Sequence, residues 1–400
     1  VTAERVADPL FAKAAVFEAD GERAGFVVLD TLSVRWTQVA EIRRRTEAAH
    51  GIPADRLMVS ATHSHAGPAV ASSGDVRRDE AYLEEMTRRV VEAVGDAVRK
   101  LEPVEIGYGR ASERRIAHNR RVVQRDGTVK THGDLDAPDA MFVEGPIDQE
   151  VAVMGVRSAA GKPLGCLVNY ALHPTFHGDD DAISANWPGV LARWLRVEGW
   201  PVTVFLQGAL GNVSHADAPG GKERTMGEVG ELLAESALAA LAGAGWTGDA
   251  PIRVASRTVT PPYRSVTPAE IAGTARGAQR FIDSAIYDRE IPRLVEKIKG
   301  RPGALAEVQA IRLGADAFVG IPAELFVELG LRIKERVHPL PVQVVGCANG
   351  MLGYVPTWEA FARGGYETTF APWSKLAPEA GDLLADAAIA AIMETGASNR

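Results

Sequence analysis

His63 and His65 stand two apart in Thr62-His63-Ser64-His65-Ala66-Gly67-Pro68, directly after the apolar run Leu57 to Ala61. In extended backbone, residues two apart project to the same side, so both imidazoles can enter one cleft where a strand ends. Imidazole is both a metal ligand and a base that titrates near neutral pH, and such a pair could therefore hold a metal and move a proton. The same pair is also compatible with two solvated loop histidines. Four further places repeat the arrangement. Leu164 to Tyr170 delivers His173 in Ala171-Leu172-His173-Pro174-Thr175, where the following proline favours extended backbone. Val202 to Gln207 runs into Gly208-Ala209-Leu210-Gly211-Asn212, whose glycines let backbone approach a ligand closely. Phe318 to Ile321 leads to Pro322-Ala323-Glu324, and Glu324 is expected to open a helix continuing from Leu325 to Val337, where a first-turn carboxylate would also complement the helix dipole. Val342 to Cys347 feeds Ala348-Asn349-Gly350 and then Tyr354-Val355-Pro356-Thr357, with Tyr366-Glu367 beyond. Each feature alone has a bland explanation. Five strand ends carrying His, Glu, Tyr or a glycine turn fit the rule that active sites gather at the ends of sheet strands.

The elements that must position these residues alternate between short β-type runs and longer helical ones, the pattern of an α/β protein whose sheets are covered by helices. Strands are expected at Ala12 to Glu18, Gly25 to Asp30, Leu57 to Ala61, Val104 to Tyr108, Val151 to Val156, Leu164 to Tyr170 and Val202 to Gln207, with three more in the second half. Val308 to Leu313 and Phe318 to Ile321 read as a hairpin turning at Gly314-Ala315-Asp316. Helices are expected at Thr37 to His50, Glu80 to Leu101, Glu223 to Ala242, and from Thr267 toward Gly300 with breaks. At 400 residues, 46% hydrophobic and 24% charged, the chain suits one large domain or two fused ones, and no internal repeat or linker divides it. No apolar stretch approaches the length of a membrane span. A net charge of -8 argues against nucleic acid or an anionic membrane as partner, leaving small molecules. Two cysteines, Cys166 and Cys347, supply no disulfide framework, so a reducing compartment is allowed. The sequence opens Val1-Thr2-Ala3-Glu4 without a basic-then-apolar segment, which favours a soluble cytoplasmic protein over an exported one.

Taken in order, His63-x-His65-x-Gly67-Pro68, Asn119-Arg120, His173-Pro174-Thr175, Gly208-x-x-Gly211-Asn212, Pro322-x-Glu324, Ala348-Asn349-Gly350 with Tyr354-Val355-x-Thr357, and Tyr366-Glu367 resemble the catalytic domain of the neutral ceramidase family. The resemblance runs from about Asp8 to about Trp373. It implies mixed β-sheets covered by helices in an αββα sandwich, forming a single domain over residues 1–400 that lacks the family's immunoglobulin-like C-terminal domain. It also implies a zinc-dependent hydrolase cleaving an N-acyl amide or related carbonyl bond with metal-activated water. His63, His173, Glu324 and Tyr354 match the metal ligands, while His65, Arg120 and Tyr366 match active-site residues that do not bind the metal. His65 would move protons, and Arg120 or Tyr366 would steady the oxyanion.

Two positions depart from the family pattern. Gly208 replaces a serine to which a nucleophilic role has been given, and Asn186 replaces an expected acid in Ser184-Ala185-Asn186-Trp187-Pro188-Gly189. A glycine cannot form an acyl-enzyme, which favours direct attack by water. The missing domain and patch-poor composition favour soluble or short-chain amides over ceramide in a bilayer. Two other readings compete. One is a catalytically silent relative that binds a metal or ligand; the other is a metal-independent serine hydrolase using Ser64 or Ser214, against which stands the lack of a Gly-x-Ser-x-Gly elbow.

Overall fold

The computed structural model describes residues 3–72, 76–178, 180–216 and 223–396. Strand periodicity sets its layers. In Glu150–Ser158, Val151 and Val153 face one core while Met154 faces another, and in Thr203–Gln207, Phe205 and Val204 divide the same way. Such strands are buried on both faces, so their sheet must lie inside the molecule.

That sheet has five strands in the order Thr203–Gln207, Pro163–Tyr170, Glu150–Ser158, Val104–Ser112 and Gly245–Thr247. Helices Asn186–Val197 and Met226–Ala242 cover its outer face through Trp187, Leu191, Val229 and Leu233. Its inner face packs Met154, Leu167 and Leu206 against Phe26 and Met58 of a three-stranded sheet and Ile311 and Phe318 of a four-stranded one. The three-stranded sheet is Ala12–Ala19, Glu22–Leu29 and Leu57–Ala61; the four-stranded one is Ile252–Val259, Ala306–Leu313, Asp316–Gly320 and Val342–Val345. Helices Trp36–His50 and Glu80–Arg99 close the former, and Val327–Arg336 and Ala380–Gly396 the latter. The result is the helix, sheet, sheet, helix sandwich expected from the sequence.

Three parallel strand pairs lie within the three larger sheets, and each needs a crossover. Glu22–Leu29 reaches Leu57–Ala61 through Trp36–His50, Pro163–Tyr170 reaches Thr203–Gln207 through Asn186–Val197, and Asp316–Gly320 reaches Val342–Val345 through Val327–Arg336. The carboxyl ends of these strands carry the residues singled out above.

Several expectations are corrected. Glu324 does not open a helix: Glu324–Leu325 is a short strand paired in parallel with Tyr354–Val355, and the helix begins at Val327. Its backbone is claimed by this pairing before the helix can start. The stretch from Thr267 to Gly300 is broken as expected, into helices Pro268–Ala272 and Ser284–Ile298, the first capped by Thr267 and ended by Gly273 in left-handed backbone. Helices Asn186–Val197 and Ala380–Gly396, strand Ile252–Val259, and a small sheet of Arg121–Gln124, Val129–Thr131 and Ala140–Val143 have no counterpart in the sequence reading. Among the described residues no helix is long and apolar enough to cross a membrane.

Candidate active site

His63, His173, Glu324 and Tyr354 come from four separate strand ends and meet in one buried cluster. His63 follows Leu57–Ala61 with φ 68, a left-handed conformation costly for a side chain of its size. The turn re-aims the ring, so it is this kink rather than simple alternation that brings His63 and His65 together, with their Nε2 atoms 3.3 Å apart. Parallel pairing sets Glu324 beside Tyr354. The Glu324 carboxylate lies 3.4 Å from His63 Nε2 and 3.5 Å from His173 Nε2.

Backbone carbonyls choose the tautomers. His63 Nδ1 donates to Leu32 O at 2.8 Å and His173 Nδ1 to Val213 O at 3.0 Å, directing both Nε2 lone pairs into the cluster. Burial, followed by the Arg120 charge, pushes His173 down to about 4, so its ring is neutral at physiological pH. Burial also favours protonation of Glu324, but the two histidines outweigh it and hold the carboxyl well below its ordinary range. Packing around the ring, followed by the neighbouring His63 and His173 imidazoles and the Arg120 charge, keeps His65 well below the usual imidazole value. His65 is the exposed member of the histidine trio.

The donor set fits a small borderline-soft cation. A tetrahedral zinc site with bonds near 2.0–2.2 Å has ligand edges of roughly 3.3–3.6 Å. The separations of Glu324 from His63 and His173 fall in that range, and His173 Nε2 is buried with no hydrogen-bond partner among the described residues. His63, His65 and His173 form an overlapping set whose ligand atoms lie within 4.8 Å of one another.

Arg120 is buried beside these residues. Its Nη2 donates to Tyr354 Oη at 3.1 Å and Gly211 O at 2.9 Å, and its Nε to Glu367 Oε1 at 2.8 Å. The other Glu367 oxygen accepts from Arg121 Nη1 and Thr131 Oγ1, each at 2.8 Å. Tyr366 packs edge-on to Tyr354 with ring centres 5.7 Å apart and stacks on half-exposed Phe281 at 4.8 Å. Burial keeps both tyrosine hydroxyls protonated well above neutral pH. A cavity of roughly 250 Å³ opens onto His63, His65, Glu324, Tyr354 and Tyr366.

The turn after Thr203–Gln207 has no room for a serine. A Cβ on Gly208 would lie 2.8 Å from Ala171 Cα and Cβ. Ser64 Oγ donates to Ser184 O at 2.8 Å and Ser214 Oγ to Ala216 O at 3.3 Å, so neither serine is paired with a histidine as a triad would require. Asn186 occupies its helix start in left-handed backbone, its amide giving a hydrogen bond to Phe176 O and its Oδ1 accepting from Trp187 N at 3.0 Å.

One residue had no signal in the sequence. The buried amide of Gln207 donates to Thr62 O at 3.0 Å and Leu172 O at 2.9 Å, and accepts from Leu172 N and Gly208 N at 3.2 Å. It thus ties the His63 loop, the His173 loop and the glycine turn together.

The fold and this cleft define an α/β protein whose polar residues converge at the carboxyl ends of its sheet strands. Its likeness is to neutral ceramidase. Over 462 aligned residues the chain is 22% identical to neutral ceramidase of Pseudomonas aeruginosa, an alignment spanning 95% of this chain and 66% of that protein, just under two thirds of its length. A solved structure of a ceramidase complexed with C2 superposes with a TM-score of 0.72 at 18% identity, over 97% of this chain and 70% of that one. The crystal structure of the Pseudomonas aeruginosa neutral ceramidase gives 0.69 at 21%, over 96% of this chain and 69% of that one. No protein-family model matches. The chain is neutral ceramidase-like in sequence and in fold.

Proposed function

We propose that this protein is a zinc-dependent hydrolase of N-acyl amides. The observation that carries the reading is the pair of imidazoles locked by Leu32 O and Val213 O, with both Nε2 atoms turned toward Glu324 at the edge lengths of a tetrahedral site. The likeness to neutral ceramidase supplies the amide as substrate class. His63, His173, Glu324 and Tyr354 would hold the metal, which when bound acidifies water and polarises a carbonyl.

The chain's own groups do the rest. Neutral His65, at the open side of the trio, takes the proton of the attacking water and returns it to the amine nitrogen as the C–N bond breaks. Tyr366, protonated and lining the cavity, donates toward the developing oxyanion, and Arg120 adds its charge from beside Tyr354. With no side chain at Gly208, attack is a single displacement by water, and no acyl-enzyme forms.

The test combines metal analysis with an amide screen. About one zinc per chain is expected, together with hydrolysis that stops in chelator and returns with zinc. His63→Ala and His173→Ala should each empty the site. Full activity in metal-free protein, or a serine ester found by mass spectrometry, would overturn the reading.

A further inference from the structure

Two cations line the cavity together with the cluster. Arg35, at the start of helix Trp36–His50, and Lys375, after Trp373, both open onto the space faced by His63, His65 and Glu324. Neither makes an ion pair with a carboxylate among the described residues. Lys375 Nζ donates to Leu352 O and, at 3.0 Å, to Pro372 O. An ammonium has three donors, so two go to uncharged carbonyls and the charge remains unneutralised. The carboxylate that acts on both cations is Glu324, already placed among the histidines. Burial pushes both groups down, and Lys375, with Arg35 and Lys297 nearby, falls to about 7. The cavity is also lined by Trp373, whose buried Nε1–H has no partner among the described residues. A chain of net charge -8 has thus gathered uncompensated positive charge in the same cavity as its candidate chemistry.

We infer that Arg35 and Lys375 select an amide substrate that carries a carboxylate, of the N-acyl amino acid type. The inference rests on the hydrolase reading above and names its substrate class. A carboxylate in the cavity accepts from the Arg35 guanidinium and from the third Lys375 donor, satisfying cations that are otherwise desolvated without a counterion. The volume of roughly 250 Å³ admits a short acyl chain and lies below the usual range for drug-sized ligands. These residues are specificity determinants; the reacting atoms belong to the cluster.

The experiment compares N-hexanoylglycine with N-hexanoylethanolamine, which exchanges the carboxylate for a hydroxyl at equal chain length. On zinc-loaded protein the kcat/KM ratio should favour the glycine amide by about tenfold or more, the scale of one charge-assisted hydrogen bond. Arg35→Gln should bring the ratio toward unity and Arg35→Glu should take it below one. Lys375→Met should also lower it, but Lys375 ties two carbonyls and its loss could unfold the loop; the Arg35 pair carries the test alone. Calorimetric binding of N-hexanoylglycine to chelator-treated protein supplies a readout independent of turnover. Equal kcat/KM for the two amides with equal affinities, or a preference that survives both Arg35 changes, overturns the inference. Cleavage of both amides without discrimination would leave the hydrolase reading standing and remove this one. Arg35-dependent binding without any amide cleavage would overturn the hydrolase reading, and with it the substrate named here, while keeping Arg35 as a carboxylate-binding residue.

Discussion

At the residue scale, His63 and His65 occupy the same loop but have different surroundings. His63 has Nδ1 fixed by Leu32 O, whereas His65 is hydrogen-bonded through Nε2 to His63. A ring locked in one tautomer suits a ligand, and a neutral ring at an open edge suits proton transfer. His65→Ala should therefore keep its zinc while turnover falls by about 10²- to 10⁴-fold, the usual scale for a general acid-base group. Metal analysis decides between the overlapping donor sets. If His65→Ala loses zinc as completely as His63→Ala, His65 is itself a ligand and the division of roles between the pair is wrong.

The element scale is governed by how strand ends are held in register with one another. Pro163–Tyr170 and Thr203–Gln207 are adjacent and parallel, but Leu57–Ala61 belongs to another sheet. What joins the His63 loop to them is the Gln207 amide, helped by the backbone bond from His65 N to Pro174 O at 3.3 Å. Asn349 plays a comparable part further along, accepting from Val59 N at 3.0 Å and donating to Gln309 Oε1 at 2.9 Å. Gln207→Leu leaves several buried backbone groups without partners. Each such group costs about 1–3 kcal/mol, and the whole substitution should cost about 2–5 kcal/mol. Urea unfolding should show a lowered midpoint with unchanged slope, and zinc affinity should fall with it. An unchanged midpoint would show that Gln207 does not clamp the loops.

On the scale of the whole molecule, the cleft is electrostatically opposed to the protein that contains it. Burial in a four-layer sandwich depresses Lys375 to about 7, with Arg35 and Lys297 adding to the effect and Glu324 opposing it. Lys375 is therefore charged below about 7 and loses its charge as pH rises through that value, whereas Arg35 stays charged throughout. The preference for a carboxylate-bearing amide should accordingly weaken between about pH 6 and pH 8, in ratios measured against the neutral amide so that other titrations cancel. Lys375→Arg should flatten this profile, because a guanidinium does not titrate there. A ratio independent of pH in the unsubstituted protein would separate Lys375 from substrate selection. Phe281, half-exposed and stacked on Tyr366, adds an apolar edge that composition alone did not disclose.

The sequence by itself determined the alternation of strands and helices, and the order of its motifs carried the resemblance that implies the layered sandwich. Short apolar runs are local properties, and Leu57–Ala61 emerged with both of its boundaries as read, while Val151 to Val156 lengthened to Glu150–Ser158. The order of motifs likewise pointed to His63, His65, His173, Glu324, Tyr354, Arg120 and Tyr366, which the fold brings to one cleft. What only tertiary structure decided is how those residues are aimed and held. Glu324 reads as a helix start until its pairing with Tyr354, thirty positions away, makes it a strand. His63 reads as extended until the loop forces φ to 68. Gln207, Glu367, Arg35 and Lys375 carry no local mark of their roles, since a buried amide clamp, a doubly engaged carboxylate and an uncompensated cation exist only once distant segments have closed around them and excluded water.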